Sequence, residues 1–299
     1  MMLHRSPRPP VALLPDPTAP NTGWVYAVAR PLLLLELRHF AEVPLLPPVA
    51  REVMTLTNNP SLPIGRVVQV LGRDPVLAAQ LLKAANSPLY GGNRRIAGLH
   101  EALLRIGTRG LRQLLLTVSA NRVLMVRARP ELTSRLQLRA GAVASASSHI
   151  ARIYGPDADS AFRAGLLHDI GWAVIFGMAS RGTSNLPPEF RDSNRVEEVC
   201  MHLHAEVGEA LAIAWNLPPL VTAAIGYHHR PADAGAGVLM AYVVAAALRV
   251  CDSLGIGPVE PPTGKMEDDP VLLRLDLTGQ KLGDLCKLVA TEVGALAAA

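Results

Sequence analysis

Aromatic residues make up only 4% of this 299-residue chain, and nothing in it reads as a sheet-forming hairpin. The 49% that is hydrophobic is carried by leucine, alanine and valine in runs spaced for helices, so an all-α fold is expected. Cysteine is nearly absent. Cys200, Cys251 and Cys286 are odd in number, far apart and set in apolar helical contexts, which excludes a disulfide framework and zinc-ligand spacing. They read as reduced thiols in a cytoplasmic protein. No charge-free apolar run reaches the roughly 18 residues of a membrane span. The best stretch, VLMAYVVAAALRVCDSL, contains Arg249 and Asp252, and the N-terminus lacks an apolar signal core with a small-residue cleavage site. No membrane partner is expected. Charge is scarcely one-sided, 29 Lys and Arg against 25 Asp and Glu, with no lysine-rich tract. The densest basic segment, Arg94, Arg95, Arg105, Arg109 and Arg112, reads as a solvated face of a loop and the next helix, so nucleic acid is not an expected partner.

What is present is a rhythm of short helices, long enough in total to bury one large core or two moderate ones. Residues 1–22 are rich in proline and read as a disordered lead. Residues 23–130 form an expected N-terminal helical lobe and 131–256 a second one, followed by a Pro-rich connection and a final helix over 257–299. A short helix is expected on each side of Pro31, then one opened by Pro47 and Pro48. Asp74 and Pro75 have the order of an N-cap and first helical residue, and two helices should meet at GTRG, residues 107–110. Further helices are expected at about 134–154, from about Ser160 through the stretch AGLLHDIGWAVIF, and at about 195–215, 217–228, 236–254 and 278–297.

AGLLHDIGWAVIF, residues 164–176, places His168 and Asp169 in an otherwise apolar run. An ionised carboxylate removed from water costs several kcal/mol unless a cation or several donors meet it, so Asp169 requires a partner.

The phrases Leu46-Pro47, Asp74-Pro75 and Asn86-Ser87-Pro88, then LHEALLRIG, LLHDIG and HAEVGEALAIAWNLPPLVTAAIGYHH, together resemble the HDOD family over roughly residues 42–255. The resemblance implies a two-lobed all-helical bacterial signalling module, its C-terminal lobe like the HD phosphohydrolases. Such modules accompany two-component and cyclic-di-GMP pathways. It also implies a metal constellation of a first His, a His-Asp pair, further histidines and a late Asp. His168, Asp169, His204, His228, His229 and Asp252 stand at the matching positions. The first histidine is replaced by Arg139, and arginine stays protonated and cannot ligate a metal. His149 lies ten residues further on, about 15 Å along a helix and about 80° round it, and does not substitute. His100 and His202 read as surface or groove residues. Trp172 stands where the hydrolase relatives usually carry lysine, and no GYP phrase follows His229.

Two readings of Asp169 remain. In one, Arg139 pairs with Asp169 and Asp252 in bidentate fashion, no cofactor is needed, and the chain is a non-catalytic module that binds a signalling protein on a separate chain or a small nucleotide messenger. In the other, one or two divalent ions (Fe, Mn, Zn or Ni) make it a phosphohydrolase acting on a nucleotide or cyclic dinucleotide. The first is the leading expectation.

Overall fold

The computed structural model describes residues 22–41, 46–57, 64–87, 90, 95–123, 130–181, 186–256 and 265–297, and every regular element among them is helical. The fold is all-α, as its composition implies. An N-terminal arm consists of α1 (Thr22–Trp24), a π-turn (Val25–Ala29) and α2 (Arg30–Ala41). Then come α3 (Pro48–Leu56), α4 (Ile64–Leu71), α5 (Pro75–Ala85) and α6 (Leu99–Val123), whose apolar faces enclose one core that includes Val53, Leu71, Leu81 and Leu111. The second core is built by α7 (Pro130–Tyr154), α8 (Ala158–Leu167), α9 (Ile170–Arg181), α10 (Ser193–Ala214), α11 (Pro219–Tyr227), α12 (Val238–Ser253), α13 (Pro270–Arg274) and α14 (Gly279–Ala297).

Local chemistry explains several boundaries. Asp74 accepts the Val76 and Leu77 amide protons at 3.0 and 3.1 Å, and Pro75 follows at the first helical position. Such a cap is worth about 1 kcal/mol. Asn86 pairs its amide with both backbone groups of Ile96, at 2.8 Å each, which closes the loop that begins at Ser87. The expected break at GTRG falls at Gly107, whose φ of 73° is inexpensive only without a Cβ.

Three expectations need revision. Pro31 does not divide two helices: the chain runs from the π-turn directly into α2. A proline lacks the amide that would bond one turn back, and the wider π-turn ahead of it absorbs the mismatch. Residues 22–41 also pack against α9 and α10. Val25, Ala29, Leu33 and Leu37, four residues apart on one stripe, are buried in the C-terminal core. A stripe is visible in sequence, but its partner is not. Finally, α7 begins at Pro130, four residues earlier than expected, and α13 is an additional turn capped by Asp269. Residues 1–21 of the proline-rich lead, Arg94, residues 124–129 of the inter-lobe stretch and 257–264 of the Pro-rich connection lie outside the described residues.

One described helix, Gly235–Ser253, is long and apolar enough to cross a membrane by composition. It is mostly buried as a core helix, and it carries Arg249 and Asp252.

Candidate functional site

Six helices bring the seven singled-out residues together. Arg139 comes from α7, His168 and Asp169 from the junction of α8 and α9, His204 from the middle of α10, His228 and His229 from the end of α11, and Asp252 from the end of α12. The HD pair is not inside one helix, as the apolar run implied. His168 closes α8, Asp169 occupies a turn, and α9 restarts at Ile170.

Two glycines make that junction sterically feasible. A Cβ at Gly171 would lie 2.0 Å from the His204 carbonyl oxygen, and one at Gly165 would lie 2.7 Å from the Val143 carbonyl. Both obstacles are backbone. The absent side chains therefore allow α9 to touch α10 beside His204, and α8 to touch α7.

The histidines share a bonding pattern. His168 Nδ1 donates to the Gly165 carbonyl at 2.7 Å, His204 Nδ1 to Cys200 at 2.7 Å, and His228 Nδ1 to Ile225 at 2.8 Å. A carbonyl only accepts, so each of these rings carries its proton on Nδ1 and, when neutral, presents the Nε2 lone pair to the pocket. Burial, aided by neighbouring imidazoles, lowers the pKa of His229 to about 3 and pushes His228 well below the ordinary range. Burial likewise lowers that of His204.

The Nε2 atoms of His168, His204 and His228 converge on Asp169. His204 Nε2 lies 3.2 Å from His228 Nε2, 2.9 Å from His229 Nε2 and 3.4 Å from Asp169 Oδ1. His228 Nε2 is 3.9 Å from the same oxygen. His168 Nε2 is 3.0 Å from Asp169 Oδ2, yet the direction is poor, and this fully buried nitrogen has no hydrogen-bond partner. Burial alone would raise the Asp169 carboxyl pKa, but His168, His204 and Arg139 outweigh it and hold the group well below the usual carboxylate range.

Arg139 closes the other side. Its Nη1 donates to Asp252 Oδ1 at 2.5 Å and to the Ile256 carbonyl at 2.8 Å, while Nε lies 3.4 Å from Asp169 Oδ2. The guanidinium thus spans two carboxylates and does not fork onto one. Burial would lower its pKa, and Asp169 with Asp252 more than reverse that, so it remains a cation.

The donor set can be compared with a metal's requirements. Zinc–nitrogen bonds of about 2.0–2.1 Å place tetrahedral ligands about 3.3 Å apart. The separations of His204 Nε2 from His228 Nε2, His229 Nε2 and Asp169 Oδ1 lie near that value, and the three imidazole donors all lie within 4.8 Å of one another. These residues fit one divalent ion. Asp252 gives its Oδ1 to Arg139 and does not offer that oxygen to an ion.

Trp172 is half-buried beside the histidines, its ring 5.9 Å from that of His204 and 6.4 Å from that of Phe176. His149 pairs instead with Glu292 of α14 at 3.0 Å, away from the pocket. His100 is exposed, but His202 is buried under the N-terminal arm, 3.4 Å from Tyr26 Oη. Beside it, Arg30 forks onto Glu206 at 2.5 and 2.8 Å. Tyr26, Arg30 and Glu206 were not singled out in the sequence. Tyr26 and Arg30 reach His202 and Glu206 of α10 from an arm that no periodicity assigns to that helix, whereas the glycine of HDIG was a readable signal.

Fold and pocket together define an all-helical HD-type domain with histidines and aspartates gathered between helices. The chain belongs to the HDOD family: the profile of the HDOD domain matches residues 43–231. The arm and Asp252 lie outside that match. An uncharacterized protein of Treponema pallidum (strain Nichols) is 32% identical over 200 residues, 63% of this chain; the chain covers only 38% of that relative's length. Among solved structures, a Shewanella amazonensis SB2B protein provisionally named a metal-dependent phosphohydrolase superposes with a TM-score of 0.65 at 20% identity, over 89% of this chain and 98% of its own. A Marinobacter aquaeolei VT8 protein provisionally named a signal transduction protein gives 0.67 at 22%, over 94% and 66%. At these identities the likeness shows the fold alone.

Proposed function

We propose that the protein is a non-catalytic HDOD signalling module that binds a partner protein on a separate chain or a small nucleotide messenger. The observation that carries this reading is Arg139. A phosphohydrolase of this type needs its carboxylates free to hold ions that lower the pKa of a bound water. Here Asp252 bonds to a buried guanidinium, and Asp169 lies against the same cation. An ion bound by His204, His228, His229 and Asp169 would supply a local positive charge, while Arg139 would keep Asp252 from joining it. Trp172, an apolar body beside His204, also supports the reading. The three free cysteines accord with a reducing, cytoplasmic setting.

The test is turnover of bis-p-nitrophenyl phosphate and of cyclic di-GMP with Mn²⁺ or Fe²⁺. No rate above the metal blank is expected. Hydrolysis that Asp169→Ala abolishes would replace this reading with the phosphohydrolase, which the convergent imidazoles favour.

A further inference from the structure

We infer that Arg139 sets the metal capacity of this pocket at one: it withholds Asp252 and faces one oxygen of Asp169, leaving His204, His228, His229 and the other Asp169 oxygen for a single divalent ion. The inference rests on the role given to Arg139 above and extends it to the class and number of ligands.

Three observations carry it. First, the orientation of the donors is built in. His204 and His228 each fix Nδ1 on a backbone carbonyl of their own helix, so their Nε2 lone pairs point inward. An outer bond of this kind is the usual support for a metal-bound imidazole. Second, Arg139 is anchored at two places, Asp252 Oδ1 and the Ile256 carbonyl, and its side chain is 7% exposed. It neither swings out nor gives up its proton. The groups a second ion would use are those the guanidinium faces: Asp252, Asp169 Oδ2 and the unpartnered His168 Nε2 beside that oxygen.

Third, the charges favour one ion. Apart from the imidazoles, Asp169 and Asp252 contribute two negative charges and Arg139 one positive. The buried pocket therefore holds a net negative charge, which one divalent cation overcompensates by a single unit. A second would raise the buried excess to three, which is prohibitive without further ligands. Three imidazoles and one carboxylate select zinc, cobalt, iron or nickel over magnesium or calcium.

The experiment titrates metal-free full-length protein with Co²⁺ and Zn²⁺, following the cobalt d–d bands and counting bound metal by mass spectrometry after desalting. One ion per chain is expected, and His204→Ala should weaken binding more than about 100-fold, beyond the cost of losing an outer partner. Arg139→His frees Asp252 and adds an imidazole, and its count should rise to two. Should that variant not fold, Arg139→Gln removes the charge without adding an imidazole; it should keep one ion and bind it about tenfold or more tightly. No stoichiometric ion in the wild type, two ions there, an Arg139→His count that stays at one, or no gain in affinity for Arg139→Gln would each overturn the inference. Phosphodiester turnover by a one-ion protein would instead overturn the proposed function and leave this inference standing.

Discussion

Replacing Arg139 with methionine keeps most of the stem and removes the guanidinium, leaving Asp169 and Asp252 facing each other's charge with side chains only 9% and 14% exposed. Each carboxylate loses an attraction of about 4 kcal/mol at an effective dielectric near 20, and the Ile256 carbonyl loses its donor. Part of this is returned because arginine no longer has to be desolvated. Breaking a buried pair from one side costs about 3–5 kcal/mol, and that is the loss expected at neutral pH without metal. Against a total of about 5–15 kcal/mol for a typical domain, it is a large fraction. Trp24, Trp172 and Trp215 all pack on the C-terminal core, so tryptophan fluorescence in a urea titration with EDTA isolates the relevant lobe. Arg139→Met with Asp252→Asn removes one orphaned charge, and the double variant should recover at least about 1.5 kcal/mol of the loss. A single-variant loss below about 1 kcal/mol, or strictly additive losses, would refute the reasoning.

Gly171→Ala should cost about 3 kcal/mol or more, since its methyl would meet the His204 backbone, whereas Gly65→Ala in α4, with nothing within 4 Å, should be neutral or stabilising by about 0.5–1 kcal/mol; equal effects in thermal melts would contradict the close approach of α9 to α10. Ala29→Asp places a carboxylate on the fully buried stripe of the N-terminal arm. Hydrogen exchange should then show lost protection over residues 22–41 together with faster exchange around Glu206, and an arm that stays protected would disprove the docking. Glu292 accepts from Ser145 and pairs with His149; burial opposes its ionisation, but these partners prevail and lower its pKa. Its folded value being depressed, its contribution is present above the unfolded value of about 4.3 and disappears as pH falls through the folded one. Glu292→Gln should therefore cost about 1.5–3 kcal/mol at pH 7 and progressively less below pH 4, a convergence that urea midpoints across pH would reveal. A constant difference would contradict the ionised role.

How much was legible can be judged from particular residues. Asp74 with Pro75, the Gly107 break and the helices from α10 to α12 followed from local rules, because a cap or a positive φ depends on atoms a few residues apart. The pocket's residues were likewise nameable from the order of histidines and aspartates. Less legible was the junction at Asp169. The run around HDIG is apolar enough for a continuous helix, and the approach of His204's backbone to Gly171 beside the turn is a tertiary contact that no local pattern announces. The arm's neighbour was illegible for a related reason. Its stripe of Val25, Ala29, Leu33 and Leu37 would suit any apolar helix face.

The sequence by itself determined an all-helical chain, its family, and the substitution of Arg139 for a histidine, because helix periodicity and residue identity are properties of short segments. Only the tertiary structure decided that Arg139 reaches an aspartate 113 residues away, that its guanidinium spans two carboxylates, and that His204 and His228 turn their Nε2 atoms inward. Those facts depend on how six helices pack, and packing is set by the shapes of surfaces that lie far apart along the chain.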